Sequence, residues 1–289
     1  MRVHVLGSGS EGNATVIESD RECIIIDAGF GVRELGRRLK AVNIEPESVS
    51  ALIVTHEHQD HVRGAGAAAR RWNWPVYATA GTLSVKRKAP ISRGEYALPV
   101  PLSIETSTPA SGRKKKRVVK HVVDTHTLVE LEDFTLKFIK APHDAREPVA
   151  LVATTKSTGE RVGIAYDLGH LTERFIKYFA DVDVLILESN HDGAMLRTGP
   201  YPWSLKQRVA GPNGHLSNAE AALMARTCAH RGLRHLVLCH LSQVNNRPEI
   251  ALKAMRAALR GSGFRGALHA APQHSTLTLG GAMQIELAL

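Results

Sequence analysis

The sequence predicts an α/β fold in which two β-sheets pack face to face between outer helix layers, an αββα sandwich. Three observations predict it. Strand-like runs precede helix-like stretches in two similar halves, so each half supplies one sheet and one helix layer. Several of the runs are apolar at every position, as strands covered on both faces are. Polar side chains then recur just past strand ends, at Asp27, His56 to His61, His143, Asp167, Glu188, His215 and His240. Loops beyond strand ends are where sites are built on rigid scaffolds.

In chain order, Val3 to Leu6 reads as the first strand. The glycine-rich stretch Gly7-Ser8-Gly9-Ser10-Glu11-Gly12-Asn13 either closes a tight connection or faces a substrate, since backbone N–H groups in such turns hold phosphate oxygens. Ala14 to Glu18 and Cys23 to Asp27 form a hairpin, and Asp27 ends a fully apolar strand, where a carboxylate needs a partner. Val32, Leu35, Leu39 and Val42 have helical spacing within 31–42. Ala51 to Val54 is a buried strand. Ala65 to Trp74 is rich in small residues and arginine, and Pro75 to Ala78 is a strand. Residues 81–120 are less regular and carry Lys86-Arg87-Lys88 and Arg113-Lys114-Lys115-Lys116-Arg117, read as a solvated loop or as phosphate contacts. Leu128 to Ile139 is a hairpin, Val149 to Thr155 pairs with Arg161 to Tyr166, and Val182 to Leu187 is buried. Ser217 or Asn218 caps a helix over Ala219 to His230. Leu236 to Cys239 is a strand, Pro248 to Arg260 a helix, and Thr276 to Leu289 terminal strands. No repeat or low-complexity linker divides the chain, so 1–289 reads as one domain.

The stretch that organises the chain is Thr55-His56-Glu57-His58-Gln59-Asp60-His61. Packing does not ask for three histidines and two carboxylates directly after a strand. Imidazole and carboxylate are the ligand types for divalent zinc, manganese or iron. His56 and His58, two apart, point the same way in an extended segment. Asp60 and His61 are placed to serve a second ion close by.

Composition sets the broader class. Hydrophobic residues at 43% and charged residues at 22% are globular values. Lys and Arg number 37 against 28 acids, a net charge of +9 that suits an anionic partner such as nucleic acid. Cys23, Cys228 and Cys239 are too few and scattered for a disulfide framework and read as small core residues. Neither a signal-peptide core nor a bilayer-length apolar segment is present, so a reducing cytoplasm is the expected compartment and no membrane partner is expected. Homo-oligomerisation stays open.

The HxHxDH pattern at His56 to His61 resembles the signature of the metallo-β-lactamase fold superfamily, whose αββα sandwich matches the fold class above. The resemblance implies two divalent metal ions. His56, His58 and His143 would hold one, Asp60, His61 and His240 the other, and Asp167 would bridge them. Asp27 would orient the metal histidines, and a metal-bridging hydroxide would be the nucleophile. The β-lactamases typically have cysteine where this chain has Asp167, which argues against β-lactam hydrolysis. The segment from His215 to Ala222 resembles the His-Ser-Thr-then-helix segment of RNase Z-like enzymes, where the histidine contacts the scissile phosphate or acts as an acid and a glutamate supports it; Glu188 matches that glutamate.

The order of further motifs resembles the YycJ (WalJ, VicX) family: Gly7-Ser8-Gly9-Ser10, Thr55-His56-Glu57-His58, Pro142-His143-Asp144, Asp167-Leu168-Gly169, Glu188-Ser189-Asn190-His191-Asp192, Gly199-Pro200-Tyr201-Pro202, Leu205-Lys206, Gly214-His215-Leu216-Ser217-Asn218 and His240-Leu241-Ser242-Gln243-Val244-Asn245-Asn246. The basic run at 113–117 is not part of that pattern. The resemblance implies a dinuclear metal-dependent phosphodiesterase of the 5′→3′ DNA exonuclease type, with His215, Glu188 and Asp60 as catalytic groups. It marks Ser10, Asn190, His191, Tyr201, Lys206, Ser217 and Asn218 as substrate contacts. The alternatives are an RNA-processing or cyclic-phosphate phosphodiesterase, a thioester or lactone hydrolase, which needs neither the Glu188/His215 pair nor a basic surface, and a non-catalytic scaffold, against which a full ligand set argues.

Overall fold

Side-chain alternation along the buried strands decides the layering. The computed structural model describes residues 1–83 and 118–280. One sheet contains β1 (Arg2–Gly7), β2 (Ala14–Glu18), β3 (Cys23–Ile26), β4 (Ala51–Ile53), β5 (Val76–Thr79) and β6 (Lys120–Val123). The other contains β7 (Leu128–Glu130), β8 (Phe134–Lys140), β9 (Val149–Thr155), β10 (Arg161–Ala165), β11 (Val184–Glu188), β12 (His235–Cys239) and β13 (Ala267–Ala270). The last described strand, β14 (Leu277–Leu279), returns to the edge of the first sheet beside β1. The helices are α1 (Val32–Ala41), α2 (Gln59–Val62), α3 (Ala65–Trp72), α4 (Ala80–Leu83), α5 (Glu173–Lys177), α6 (Gly193–Thr198), α7 (Trp203–Val209), α8 (Asn218–Thr227) and α9 (Pro248–Leu259).

Successive residues of a strand face opposite ways, and both faces of the central strands are covered. Ile24 and Ile26 of β3 enter the core between the sheets, while Ile25 joins the core under α1 and α3. Val184 and Ile186 of β11 face the other sheet, and Leu185 and Leu187 face the helix layer of α8 and α9. These three apolar layers are the αββα sandwich, and they explain why the strands read as continuous apolar runs. Truncating a central side chain such as Ile24 to alanine removes contacts on a fully buried face, at a cost of about 2–5 kcal/mol.

The two halves repeat one pairing plan. From β1 to β3 the neighbours are antiparallel, and from β3 to β6 they are parallel. From β7 to β10 they are antiparallel, and from β10 to β13 parallel. β3 and β10 therefore occupy the same place in their sheets. Asp27 follows β3 and Asp167 follows β10, and both have left-handed backbones, with φ of 61° and 48°. Parallel strands end on a common edge, so the loops after β3, β4, β10, β11 and β12 converge.

The expected elements are found within a few residues. Ser217 is the N-cap of α8 with a full capping box to Glu220, and α8 stops at Thr227, short of the expected His230. Short helices α5, α6 and α7 and strand β13 were not expected; each is too brief to show a period. The basic runs at 86–88 and 113–117 and residues 281–289 of the expected terminal strands lie outside the described residues.

Candidate metal centre and active site

The loop after β4 supplies most of the cluster. His56 and His58 leave the strand in extended chain, and His58 then caps the single turn α2, which presents Asp60 and His61. His56, His58 and His143 bring their rings together, with centroids 4.7 to 5.1 Å apart. One ligand atom from each lies within 4.8 Å of the others. His143 Nδ1 lies 3.0 Å from the Gly214 carbonyl, which fixes the ring as an Nδ1–H donor and turns the Nε2 lone pair inward. That Nε2 lies 3.1 Å from His58 Nδ1. Burial pushes all three imidazoles below the ordinary histidine range, His56 the furthest, which holds them in the neutral, ligating form.

A second cluster abuts the first. Asp60, His61 and His240 also place ligand atoms within 4.8 Å of one another, and His240 Nε2 lies 3.2 Å from Asp60 Oδ2. Asp27, fully buried, accepts from Thr55 N and Oγ1 at 2.8 Å and from His61 Nδ1 at 2.7 Å. His61 Nε2 is thereby aimed at Asp167 Oδ2, 2.8 Å away. Asp167 stands between the clusters. Its Oδ2 faces His61 and, at 3.7 Å, His56, while its Oδ1 faces His240 Nδ1 at 3.0 Å and His215 Nδ1 at 3.3 Å.

The charge balance of the second cluster is the reverse of the first. Burial alone would lower His61 and His240, but the surrounding carboxylates, Asp167 foremost, hold both well above the ordinary range. Without cations, these rings keep protons to balance buried negative charge. His56 Nε2 is buried without a hydrogen-bond partner where the clusters meet, and the buried Asp167 Oδ2 that it faces has only the close charge contact with His61 Nε2, outside hydrogen-bond geometry. Buried polar atoms are normally satisfied, and convergent lone pairs on neutral imidazoles and carboxylates are what a divalent cation satisfies. The residues present fit metal ions.

His215 sits at the rim, with 22% of its side chain exposed. Its Nδ1 donates to Glu188 Oε1 at 2.7 Å, and its Nε2 has no hydrogen-bond partner among the described residues. Burial opposes protonation of the ring, but the Glu188 and Asp167 carboxylates together outweigh it and raise His215 to about 9. Glu188 is fully buried and fully used: Oε2 accepts from Leu168 N and Leu216 N, and Oε1 also faces His240 Nδ1 at 3.0 Å.

Sequence comparison agrees with this geometry. Residues 7–151 match the model of the metallo-β-lactamase superfamily. The chain is 31% identical to the exodeoxyribonuclease YycJ of Bacillus anthracis, over 90% of this chain and 89% of that one. It is 30% identical to the exodeoxyribonuclease WalJ of Streptococcus pneumoniae serotype 2, over 87% and 85%. The chain belongs to the YycJ/WalJ family of the metallo-β-lactamase superfamily. Among solved structures, the metallo-β-lactamase fold protein YhfI from Bacillus subtilis superposes with a TM-score of 0.67 at 18% identity, covering 96% of this chain and 98% of that one, a likeness of fold. As a member of its family the chain is a metal-dependent hydrolase.

The superfamily signature does not reveal how the ligand loops are held. Asn190 Nδ2 donates to the His240 carbonyl, and the Asn246 amide donates to the Ser189 and Asn190 carbonyls and to Asn218 Oδ1. Ser189 Oγ also donates to Asn218. This buried network ties together the loops carrying Glu188, His215 and His240. The polar side chains of Asn190 and Asn218, expected at the substrate, are spent in it, and Ser217 is spent on the capping box. Lys206 Nζ donates to the Arg197 carbonyl at 2.7 Å. Tyr201 is half-buried, His191 is buried, and Ser10 is exposed on the glycine-rich loop.

That loop is a brace for the candidate ligands. Asn13 Nδ2 lies 3.3 Å from Asp60 Oδ2 and 3.1 Å from His61 Nε2, and Ser8 Oγ accepts from His240 N at 2.9 Å. Gly29 is required because the Asp60 carbonyl fills the space a Cβ would take. Asp144 was also missed as a site residue. Its Oδ1 lies 3.3 Å from His143 Nε2 and 3.8 Å from His58 Nε2, and Arg208 Nε donates to its Oδ2 at 2.7 Å. Its place beside His143 was a signal, but sequence does not show which way the carboxylate turns.

Proposed function

We propose that this protein is a dinuclear metal-dependent DNA exonuclease that degrades strands from the 5′ end. The observation that carries the reading is the pair of abutting ligand clusters joined by Asp167, with the His215–Glu188 pair on their rim. Kinship with exodeoxyribonucleases supports DNA as the substrate, and the net charge of +9 suits a polyanion. Three free, buried cysteines suit a reducing cytoplasm, and among the described residues no helix is long and apolar enough to cross a membrane.

His56, His58 and His143 would hold one cation, Asp60, His61 and His240 the other, and Asp167 would serve both. Such a pair supplies Lewis acidity toward a phosphoryl oxygen and a nucleophilic water at neutral pH. The protein's own groups do the rest. Asp27 fixes His61 so that Nε2 faces inward, and the Gly214 carbonyl does the same for His143. Glu188 holds the protonated form of His215, whose free Nε2–H donates to the leaving sugar oxygen or to the phosphate.

Digestion of DNA labelled at either end tests the reading. A 5′ label is released at once as a small fragment, whereas a 3′ label stays on shortening strands. Internal cuts, or RNA cleaved far faster than DNA, would overturn it.

A further inference from the structure

Helix α7 buries none of its residues, yet it is fixed to the site at its C-terminal end. His215 N donates to the Val209 carbonyl at 2.8 Å, and Arg208 holds Asp144, which faces the His58 and His143 rings. At the other end of α7 stands Trp203, 71% exposed. An indole is the largest apolar side chain, and leaving it in water gives up much burial energy. Six helical steps at 1.5 Å place it about 9 Å along the axis from Val209, or roughly three nucleotides at 3.4 Å per step. From Gly193 to Ala219 the chain has no acidic residue, while it carries Arg197, Lys206 and Arg208. An exposed aromatic on a segment that carries three cations and no acid of its own, one cation of which is paired with Asp144, has the chemistry of a single-strand stacking platform where it leads to a phosphodiester site.

We propose that the Trp203 indole stacks on a base of the bound DNA strand a few nucleotides from the scissile phosphate, with α7 carrying that strand to His215. The inference rests on DNA being the substrate. Stacking on an aromatic accepts any base, because every base has a π-face, so Trp203 confers grip without sequence preference.

Trp203 can be read directly. Trp74 is buried with its Nε1 donating to the Pro46 carbonyl, and Trp72 packs on it at 4.9 Å, both in the helix layer of the first sheet. A phosphorothioate single-stranded oligonucleotide added to metal-loaded protein quenches the emission of Trp203. Trp203→Phe abolishes that change but keeps most of the affinity, read by anisotropy of a labelled strand. Trp203→Ala weakens binding by about 5- to 150-fold. An oligonucleotide with an abasic position at the platform loses affinity for the wild type but not for Trp203→Ala. If the strand binds with unchanged emission, and Trp203→Ala binds within twofold of wild type, the platform is wrong while the DNA reading stands. A shift from dimer to monomer in Trp203→Ala with DNA affinity unchanged would assign the surface to a second copy of the chain. If metal-loaded protein binds no DNA, the platform and the DNA reading both fall.

Discussion

Asp27 and Asp167 hold the same imidazole from opposite sides: His61 Nδ1 lies 2.7 Å from Asp27 Oδ2, and His61 Nε2 lies 2.8 Å from Asp167 Oδ2. The two carboxylates follow equivalent strands of the two sheets. Their chemical roles differ because one is enclosed and the other faces the meeting point of two ligand clusters. Asp27 is spent on Thr55 and His61, whereas Asp167 Oδ2 meets His61 as a charge contact outside hydrogen-bond geometry and also faces His56 Nε2, which has no hydrogen-bond partner.

This relationship sets the expected effect of Asp27→Asn. The amide is neutral and can turn its NH2 toward Thr55 or His61, so the ring loses its anchor without losing its place in the fold. Metal affinity should drop about 10–100-fold, read by competition with a chromophoric chelator, with circular dichroism unchanged. Wild-type affinity would show that Asp27 orients nothing.

Metal removal should also be legible in stability. The second cluster packs Asp27, Asp60, Asp167 and Glu188 around His61 and His240, so cations relieve a repulsion that only protons balance in their absence. A ligand that binds only the folded chain at a hundred times its Kd adds about 2.7 kcal/mol. For a chain of 289 residues that raises Tm by about 4–5 °C. Calorimetry of chelator-treated protein, with and without zinc or manganese, checks the shift. An unchanged Tm with saturating metal would argue that the clusters bind none.

Much of this was readable from the chain, for physical reasons. Strands covered on both faces announce themselves as apolar runs such as Cys23 to Ile26 and Val184 to Leu187, and a carboxylate or imidazole directly after such a run stands out. The residues that brace the site were silent. Asn13, Ser8 and Asn246 are small polar residues with no spacing that marks them, and only the fold brings them near the Asp60 carboxylate, the His240 N–H and the Asn218 amide. For the same reason the motif around Asn190 and Asn218 looked like substrate contact, although their amides join three loops. Helix α7 was hidden because it buries no face and so leaves no periodic pattern.

The His215–Glu188 pair should separate leaving groups. Protonating an alkoxide is worth roughly 10²–10⁴ in rate, and nitrophenolate leaves without it. His215→Ala should therefore slow DNA cleavage severely relative to a nitrophenyl phosphodiester, and Glu188→Gln should show a milder contrast, both with wild-type metal content. Equal losses on both substrates would assign His215 to phosphate stabilisation instead. Loss of metal would make it a ligand.

Two cations that share Asp167 are best sought by stepwise reconstitution. Chelator-stripped protein is titrated with zinc or manganese while release of 5′-labelled nucleotide and bound metal are followed together. A dinuclear site gives no cleavage at the start, a plateau close to two ions per chain, and no cleavage at any metal level for His58→Ala, Asp60→Ala or Asp167→Ala. A plateau at one ion, or full cleavage by the stripped protein, would contradict it.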